Sequence, residues 1–321
     1  MNKSDVWLGR GQRFKILAFG ELLWDLLPSG PQLGGAPFNF AYRMHTLGHE
    51  VFIVSRVGRD ELGRQTLQQV RALGLRTDWI QEDEEFPTGC VDVTIREDGS
   101  PEFSIRPETA YDRIELSAEL LSLAQEADCI CYGTLIQRSP VARDTLYALL
   151  DSAPGAIKVC DVNLRKNCYT PETVRESIRR ATILKLSEEE VPTIAEILAL
   201  PETPLPRFCR ELLLDTRLAL VVVTLGERGA YVVTASGADH YEPGRRVSVV
   251  DTCGSGDAFT AGFVHGLLQD MGVTQACRLA NVFGALVAQT SGGTSPIPWE
   301  DLFQLMQTEG ERVIDPTLQE R

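Results

Sequence analysis

In the segment Val249-Val250-Asp251-Thr252-Cys253-Gly254-Ser255-Gly256-Asp257-Ala258-Phe259-Thr260-Ala261-Gly262-Phe263, an apolar pair gives way to two glycines and then to a helical pattern. A strand is expected to end near Val250, Gly254 and Gly256 permit a tight turn, and the spacing of Phe259, Phe263, Val264 and Leu267 predicts a helix from Asp257. A turn of this kind delivers backbone N–H groups to a helix N-terminus, where they and the positive end of the helix dipole attract an anion. Asp257 stands beside that anion site, either as a functional carboxylate or as a cap that satisfies free N–H groups. The chain has no G-x-x-x-x-G-K-[ST], and Gly254-Ser255-Gly256 does not continue into G-x-G-x-x-G, so the turn requires a different nucleotide fold.

Upstream, short apolar runs alternate with longer stretches at helical spacing, the pattern of a parallel sheet covered by helices. Strands are expected at Lys15 to Gly20, Val51 to Val57, Ala127 to Tyr132, Ile157 to Val162, Thr182 to Leu186 and Leu218 to Thr224. Their nearly continuous apolar character suits strands buried on both faces. Helices are expected at Phe38 to Leu47, Glu61 to Leu73, Ser117 to Gln125, Val141 to Leu150, Pro171 to Arg180 and Glu188 to Leu198. Residues Cys90 to Ile105 break this rhythm by alternating with period two around Asp98-Gly99, which reads as a β-hairpin projecting from the main sheet. The charged last dozen residues, with Pro316, are expected to fray at the surface.

The 321 residues carry 31 Lys and Arg against 45 Asp and Glu, a net charge of −14, which excludes a generic nucleic-acid binder. An apolar share of 43% excludes disorder and fibrous architectures. No apolar run approaches the roughly 20 residues of a membrane helix, and Met1-Asn2-Lys3-Ser4-Asp5 lacks the layout of a signal peptide, so no membrane association and a cytoplasmic location are expected. Eight cysteines without a C-x-x-C pair, beside four histidines, read as buried free thiols rather than a zinc site.

Asp251-Thr252-Cys253-Gly254-Ser255-Gly256-Asp257 resembles the D-T-x-G-A-G-D signature of the ribokinase-like (PfkB) carbohydrate kinases, with Ser255 in place of the usual Ala. Gly34-Gly35-Ala36-Pro37-Phe38-Asn39 is similar to the family's sugar-binding turn, and Val57-Gly58-Arg59-Asp60-Glu61-Leu62-Gly63 to its G-x-D-x-x-G element. Gly20-Glu21-Leu22-Leu23-Trp24-Asp25 and Asp161-Val162-Asn163-Leu164-Arg165 are especially similar to fructokinases. The resemblance runs from about Lys15 to Trp299 in the family order. It implies a ribokinase-like three-layer α/β/α doubly wound sheet, residues 1–321 forming one kinase domain with a small β lid inserted at about 86–107.

The resemblance further implies an ATP-dependent kinase acting on a primary hydroxyl of a small sugar. Asp257 takes the place of the general base, and the N–H groups of Gly254, Ser255 and Gly256 that of an anion hole. Asp25, Gly34, Gly35, Asn39, Asn163 and Arg165 fall where the sugar binds, although Gly34-Gly35 is equally an ordinary loop and Arg165 equally a surface ion pair. Glu190 takes the position of a Glu that organises Mg²⁺ through water, with Ser187 replacing the family's Asn; Ser187 and Glu190 also form a capping-box pattern. Lys185, Thr224, Gly226, Gly229 and Asn281 fall on the nucleotide side, with Gly229 serving the turn into a strand Ala230 to Thr234. Asp251, with Cys253 and Gly292, loosely matches a K⁺ site.

Fructose is the leading acceptor. Phe38, Phe40 and Tyr42 around Asn39, with Arg43 and Arg165, keep open a 2-keto-3-deoxysugar acid, whose carboxylate an arginine could pair, and a nucleoside, whose base an aromatic ring could stack on. A homodimer through the lid and a catalytically silent sugar or nucleotide sensor on the same scaffold are further expectations to be weighed.

Overall fold

A computed structural model of the chain describes residues 12–27, 30–95, 101–308 and 310–318. The chain begins with β1 (Lys15–Phe19), β2 (Leu23–Leu27), β3 (Gly30–Gly34), α1 (Ala36–Thr46), β4 (Glu50–Gly58), α2 (Glu61–Ala72) and β5 (Ile80–Asp83). There follow β6 (Gly89–Ile95), β7 (Pro101–Ile105), α3 (Ala118–Gln125), β8 (Cys129–Tyr132), α4 (Pro140–Ser152), β9 (Ile157–Asp161) and α5 (Pro171–Arg180). The second half holds β10 (Ile183–Ser187), α6 (Val191–Leu198), α7 (Leu205–Asp215), β11 (Leu220–Thr224), β12 (Gly229–Thr234) and β13 (Asp239–Arg245). It closes with α8 (Ser255–Leu268), α9 (Val273–Val287), α10 (Trp299–Gln307) and β14 (Arg312–Val313).

A ten-stranded sheet has the order β14-β13-β12-β11-β10-β9-β8-β1-β4-β5. From β11 to β5 every pairing is parallel, as the continuous apolar runs require, and β12 to β14 are added antiparallel. Alternate strand residues feed two cores. Leu17, Phe19, Ile130, Leu184 and Val221 pack with α3 to α7 on one face, while Ile16, Ala18, Ile53, Val159 and Val222 pack with α1, α8, α9 and α10 on the other. Each such side chain contributes roughly 1.5–3 kcal/mol by leaving water.

A second sheet has the order β3-β2-β6-β7. The β6–β7 pair is antiparallel, with Val91 opposite Ile105 and Val93 opposite Phe103. The turn assigned to Asp98-Gly99 lies outside the described residues. Strands β2 and β3, hidden in the sequence by Pro31 and two glycines, complete this sheet, and β2 pairs parallel to β6. Val91 and Val93 are buried in the same core as Leu23, whereas Phe103 is exposed.

Three expectations are corrected. No strand leads into the glycine turn: β13 ends at Arg245 and residues 246–250 are irregular, with Val249 and Val250 exposed. A dipeptide of β-branched residues with no sheet partner is a surface loop, whatever its propensity. Residues 310–318 do not fray. Strand β14 pairs with β13, Leu318 enters the core, and the Asp315 carboxylate is paired with Arg228 and accepts from Thr317. The cysteines are all free and seven are buried, but Cys253, beside the turn, is exposed.

Candidate active site

Strand β1 leads to β4 on one side, and the chain later returns through β8 on the other, so the crossovers diverge between β1 and β8. Ligand sites of open α/β sheets lie beyond the carboxyl ends of the strands at such a point. There the chain places Glu21 after β1, Gly133 and Thr134 after β8, and Asp161 to Asn163 at the end of β9. Glu21, Gly133, Thr134, Asp161 and Asn163, with Asp257, line a cavity of about 20 Å³.

Gly254 caps α8 with φ of +74°, and a side chain there would meet the Gly293 backbone at 2.5 Å, so only glycine fits. The Ser255 N–H donates to the Thr252 carbonyl at 3.2 Å, whereas the Gly254, Gly256 and Asp257 N–H groups meet no acceptor among the described residues. That is an anion site at the start of a 14-residue helix. The Ser255 hydroxyl is buried and also unpartnered.

Asp257 Oδ2 accepts from Asn39 Nδ2 at 2.8 Å, joining α8 to α1. Burial pushes the Asp257 carboxyl up to about 6, with Asp161 adding repulsion, while Asn39, Lys185 and Arg165 act to lower it. Asn39 therefore orients this carboxylate through its amide nitrogen, and its buried Oδ1 is unpartnered. Asp257 caps nothing through its side chain: the N-cap of α8 is Gly254, with no side-chain cap bond.

Lys185 on β10 lies 3.0 Å from Asp161 Oδ1, and Thr260 donates to Asp161 Oδ2 at 2.8 Å. Desolvation acts to lower the Lys185 pKa, but Asp161, Glu190 and Asp257 outweigh it and raise it, so the ammonium keeps its proton. The ammonium lies beside Gly256, at 3.4 Å from where a side chain would begin. Glu190 accepts from the Leu164 N–H at 2.6 Å and the Ser187 N–H at 2.7 Å, so the capping pattern is formed and the carboxylate is fixed.

Where the family resemblance implies the sugar, Asp25 on β2 lies 3.0 Å from where a Gly34 side chain would begin, and burial raises its pKa against the pull of Arg165. Gly35, with φ of +118°, sits on the Glu21 carbonyl, which a side chain would strike at 2.3 Å. Asn163 adopts φ of +40°, a conformation asparagine tolerates, and aims the chain toward the exposed Arg165. Arg165 makes no ion pair among the described residues yet acts electrostatically on Glu21, Asp25 and Asp257.

On the other side of the turn, Thr224 ends β11 with its hydroxyl 3.4 Å from the Leu186 carbonyl, and Gly226 faces open space. Gly229 packs against the β13 backbone, as a turn residue would. Asn281 on α9 donates to the Glu242 carbonyl at 2.9 Å, so this amide N–H is engaged with β13. Asp251 accepts from the Cys253 and Gly292 N–H groups, each at 2.9 Å.

Arg43 does not face the site. Its guanidinium is fully buried and donates to the Gly293 and Ser295 carbonyls, each at 2.7 Å. Phe38 and Tyr42 are buried in the core and only Phe40 of these three aromatics lines the cavity. Glu21, Asp161 and Thr260 were not singled out from the sequence. Glu21 and Asp161 stand at the start of the two stretches that resemble fructokinases, and Thr260 stands one helical turn after the glycines, but no spacing assigns any of the three a role.

No group of three or more potential metal-ligating side chains is present among the described residues. Mg²⁺ keeps several waters and binds through one or two carboxylates plus substrate phosphates, so a single fixed carboxylate is enough to test for fit. Glu190, with lone pairs left on both oxygens, fits as a partner of metal-bound water.

Residues 31–300 match the model of the pfkB family carbohydrate kinases. Fructokinase-1 of Oryza sativa subsp. japonica is 29% identical over 328 residues, covering 93% of this chain and 99% of that protein. The structure of a fructokinase with bound ATP from Xylella fastidiosa superposes with a TM-score of 0.80 at 24% identity, covering 91% of this chain and 98% of that one. A fructokinase from Vibrio cholerae O395, bound to fructose, ADP and calcium ion, superposes with a TM-score of 0.78 at 24% identity, covering 92% and 99%.

Proposed function

The chain belongs to the pfkB family of carbohydrate kinases, and from that membership we propose that it transfers the γ-phosphoryl group of ATP to the primary hydroxyl that turns fructose into fructose 6-phosphate. The observation that carries the reading is Asp257, oriented by Asn39 beside N–H groups that have no acceptor among the described residues. Asp257 takes the proton of the acceptor hydroxyl as that oxygen bonds to the γ-phosphorus. The bond from phosphorus to the β–γ bridging oxygen breaks and ADP leaves. Gly254 and Gly256 N–H groups, with the Lys185 ammonium beside Gly256, hold the charge on the transferred group. Glu190 would hold the water shell of Mg²⁺, which when bound would neutralise phosphate charge.

Asp25, Gly34, Gly35 and Asn163 surround the acceptor, and Thr224, Gly226 and Asn281 border the nucleotide. The second sheet is the lid of a single kinase domain spanning residues 1–321; over the sugar it would keep water from the phosphoryl group and limit ATP hydrolysis. A cytoplasmic location fits this activity; among the described residues no helix is long and apolar enough to cross a membrane. K⁺ activation at Asp251 is a hypothesis that equal rates in Na⁺ and K⁺ would remove.

One observation favours a second reading. Arg165, exposed at the acceptor side and without an ion-pair partner among the described residues, suits the carboxylate of a 2-keto-3-deoxysugar acid. ADP release from Mg-ATP with fructose, ribose, 2-keto-3-deoxygluconate, inosine and adenosine, each with and without K⁺, separates the two. A signal with fructose alone supports the first reading, one with the keto acid or a nucleoside keeps the mechanism and replaces the sugar, and silence in protein that binds ATP argues first for an untested acceptor and second for a sensor.

A further inference from the structure

Glu21 is a buried carboxyl with an unmet need. Its side chain is 5% exposed, and Oε2 has no hydrogen-bond partner among the described residues. The group lines the same cavity as Asp257, Asp161 and Asn163, which has room for about one water molecule. Its own residue is the platform for the acceptor turn, since Gly35 rests on the Glu21 carbonyl. A buried carboxylate oxygen without a donor costs far more than the same oxygen hydrogen-bonded, so a fold that retains one at a cavity wall implies a donor that arrives from outside.

We infer that Glu21 is an acceptor-binding residue, its Oε2 taking a hydrogen bond from a hydroxyl of the sugar at the floor of the site, across the cavity from Asp257. The inference rests on the carbohydrate-kinase reading above. Burial pushes the Glu21 carboxyl up to about 7, with Asp257 adding to the rise, while its own and the Ala36 backbone amides and Arg165 hold it down. Near neutral pH the group therefore serves as acceptor or, once protonated, as donor. Either form pairs with a hydroxyl, which both gives and accepts a hydrogen bond. An ammonium or a carboxylate would be matched in one form only.

The test compares Glu21→Ala and Glu21→Gln with the wild type in sugar KM, ATP KM, kcat and the rise in Tm caused by each sugar of the panel without nucleotide. A hydrogen bond to a charged group is worth about 1.5–3 kcal/mol, so Glu21→Ala should raise the KM of the preferred sugar by roughly 10- to 100-fold and abolish its Tm rise. The ATP KM should stay within about twofold. Glu21→Gln, which keeps the shape and one acceptor oxygen, should recover part of the sugar affinity and lose no apo stability. Unchanged sugar KM in both variants, as a trapped water would give, overturns the proposal, as does a fall in apo Tm of Glu21→Gln with sugar affinity intact. A wild type that no sugar stabilises and that phosphorylates none overturns the kinase reading itself, and this proposal with it.

Discussion

Asp257 is the residue proposed as the base, and its buried environment makes that role testable by pH. Burial and Asp161 raise its carboxyl to about 6. A base must be ionised to accept a proton, so kcat/KM should climb as pH rises through about 6 and level off above it. Lys185 pulls that value down, and Lys185→Met should move the acidic limb of the profile to higher pH while weakening transfer. Asp257→Asn keeps the shape and loses the base, so turnover should fall by about two to four decades with nucleotide binding largely kept; a near-wild-type rate would remove the assignment. Asp257 was legible in the sequence because two glycines announce its turn. Glu21 and Asp161 were legible only as members of stretches that resemble fructokinases, because one polar residue at the end of an apolar strand has no period that assigns it a role.

Among the elements, α1, α8 and the 291–296 segment form one unit. Arg43 ties α1 to the carbonyls of Gly293 and Ser295, Gly293 packs on Gly254, and Asn39 joins α1 to Asp257. Arg43→Met would leave two carbonyls and the loop unsupported. We expect a loss of about 2–6 kcal/mol, at 1–3 kcal/mol for each unmet carbonyl, and a kcat that falls more than the ATP KM rises; equal stability in urea would refute the clamp. Sequence periodicity located the central parallel strands and the first helices closely, because burial on both faces leaves an unbroken apolar run, but not the parallel edge strand β5, Ile80–Asp83, whose polar Gln81 and Glu82 interrupt it. It missed β2 and β3, where Gly30, Pro31 and Gly34 erase the pattern and pairing with β6 supplies the order instead. It also placed a strand before the glycine turn on the strength of Val249 and Val250, which lie exposed.

For the whole molecule, the second sheet sets the expected assembly. Strand β7 is its outer edge and carries Phe103, 59% exposed. An unpaired edge with an apolar side chain invites pairing with another copy. Sedimentation should therefore give a dimer for the wild type and a monomer for Phe103→Asp; a monomer in both cases would leave the lid without an assembly role. The other thiols being buried, Cys253 offers a chemical handle on the working turn. Although the residue is exposed, its sulfur is partly desolvated, and this with the nearby Asp251 and Asp257 charges pushes its pKa up to about 11, so labelling should be slow at neutral pH and faster in alkali. One thiol should react in the native protein and all eight in denaturant. A fluorophore carried there would register nucleotide arrival directly, with the natural sequence serving as its own biosensor.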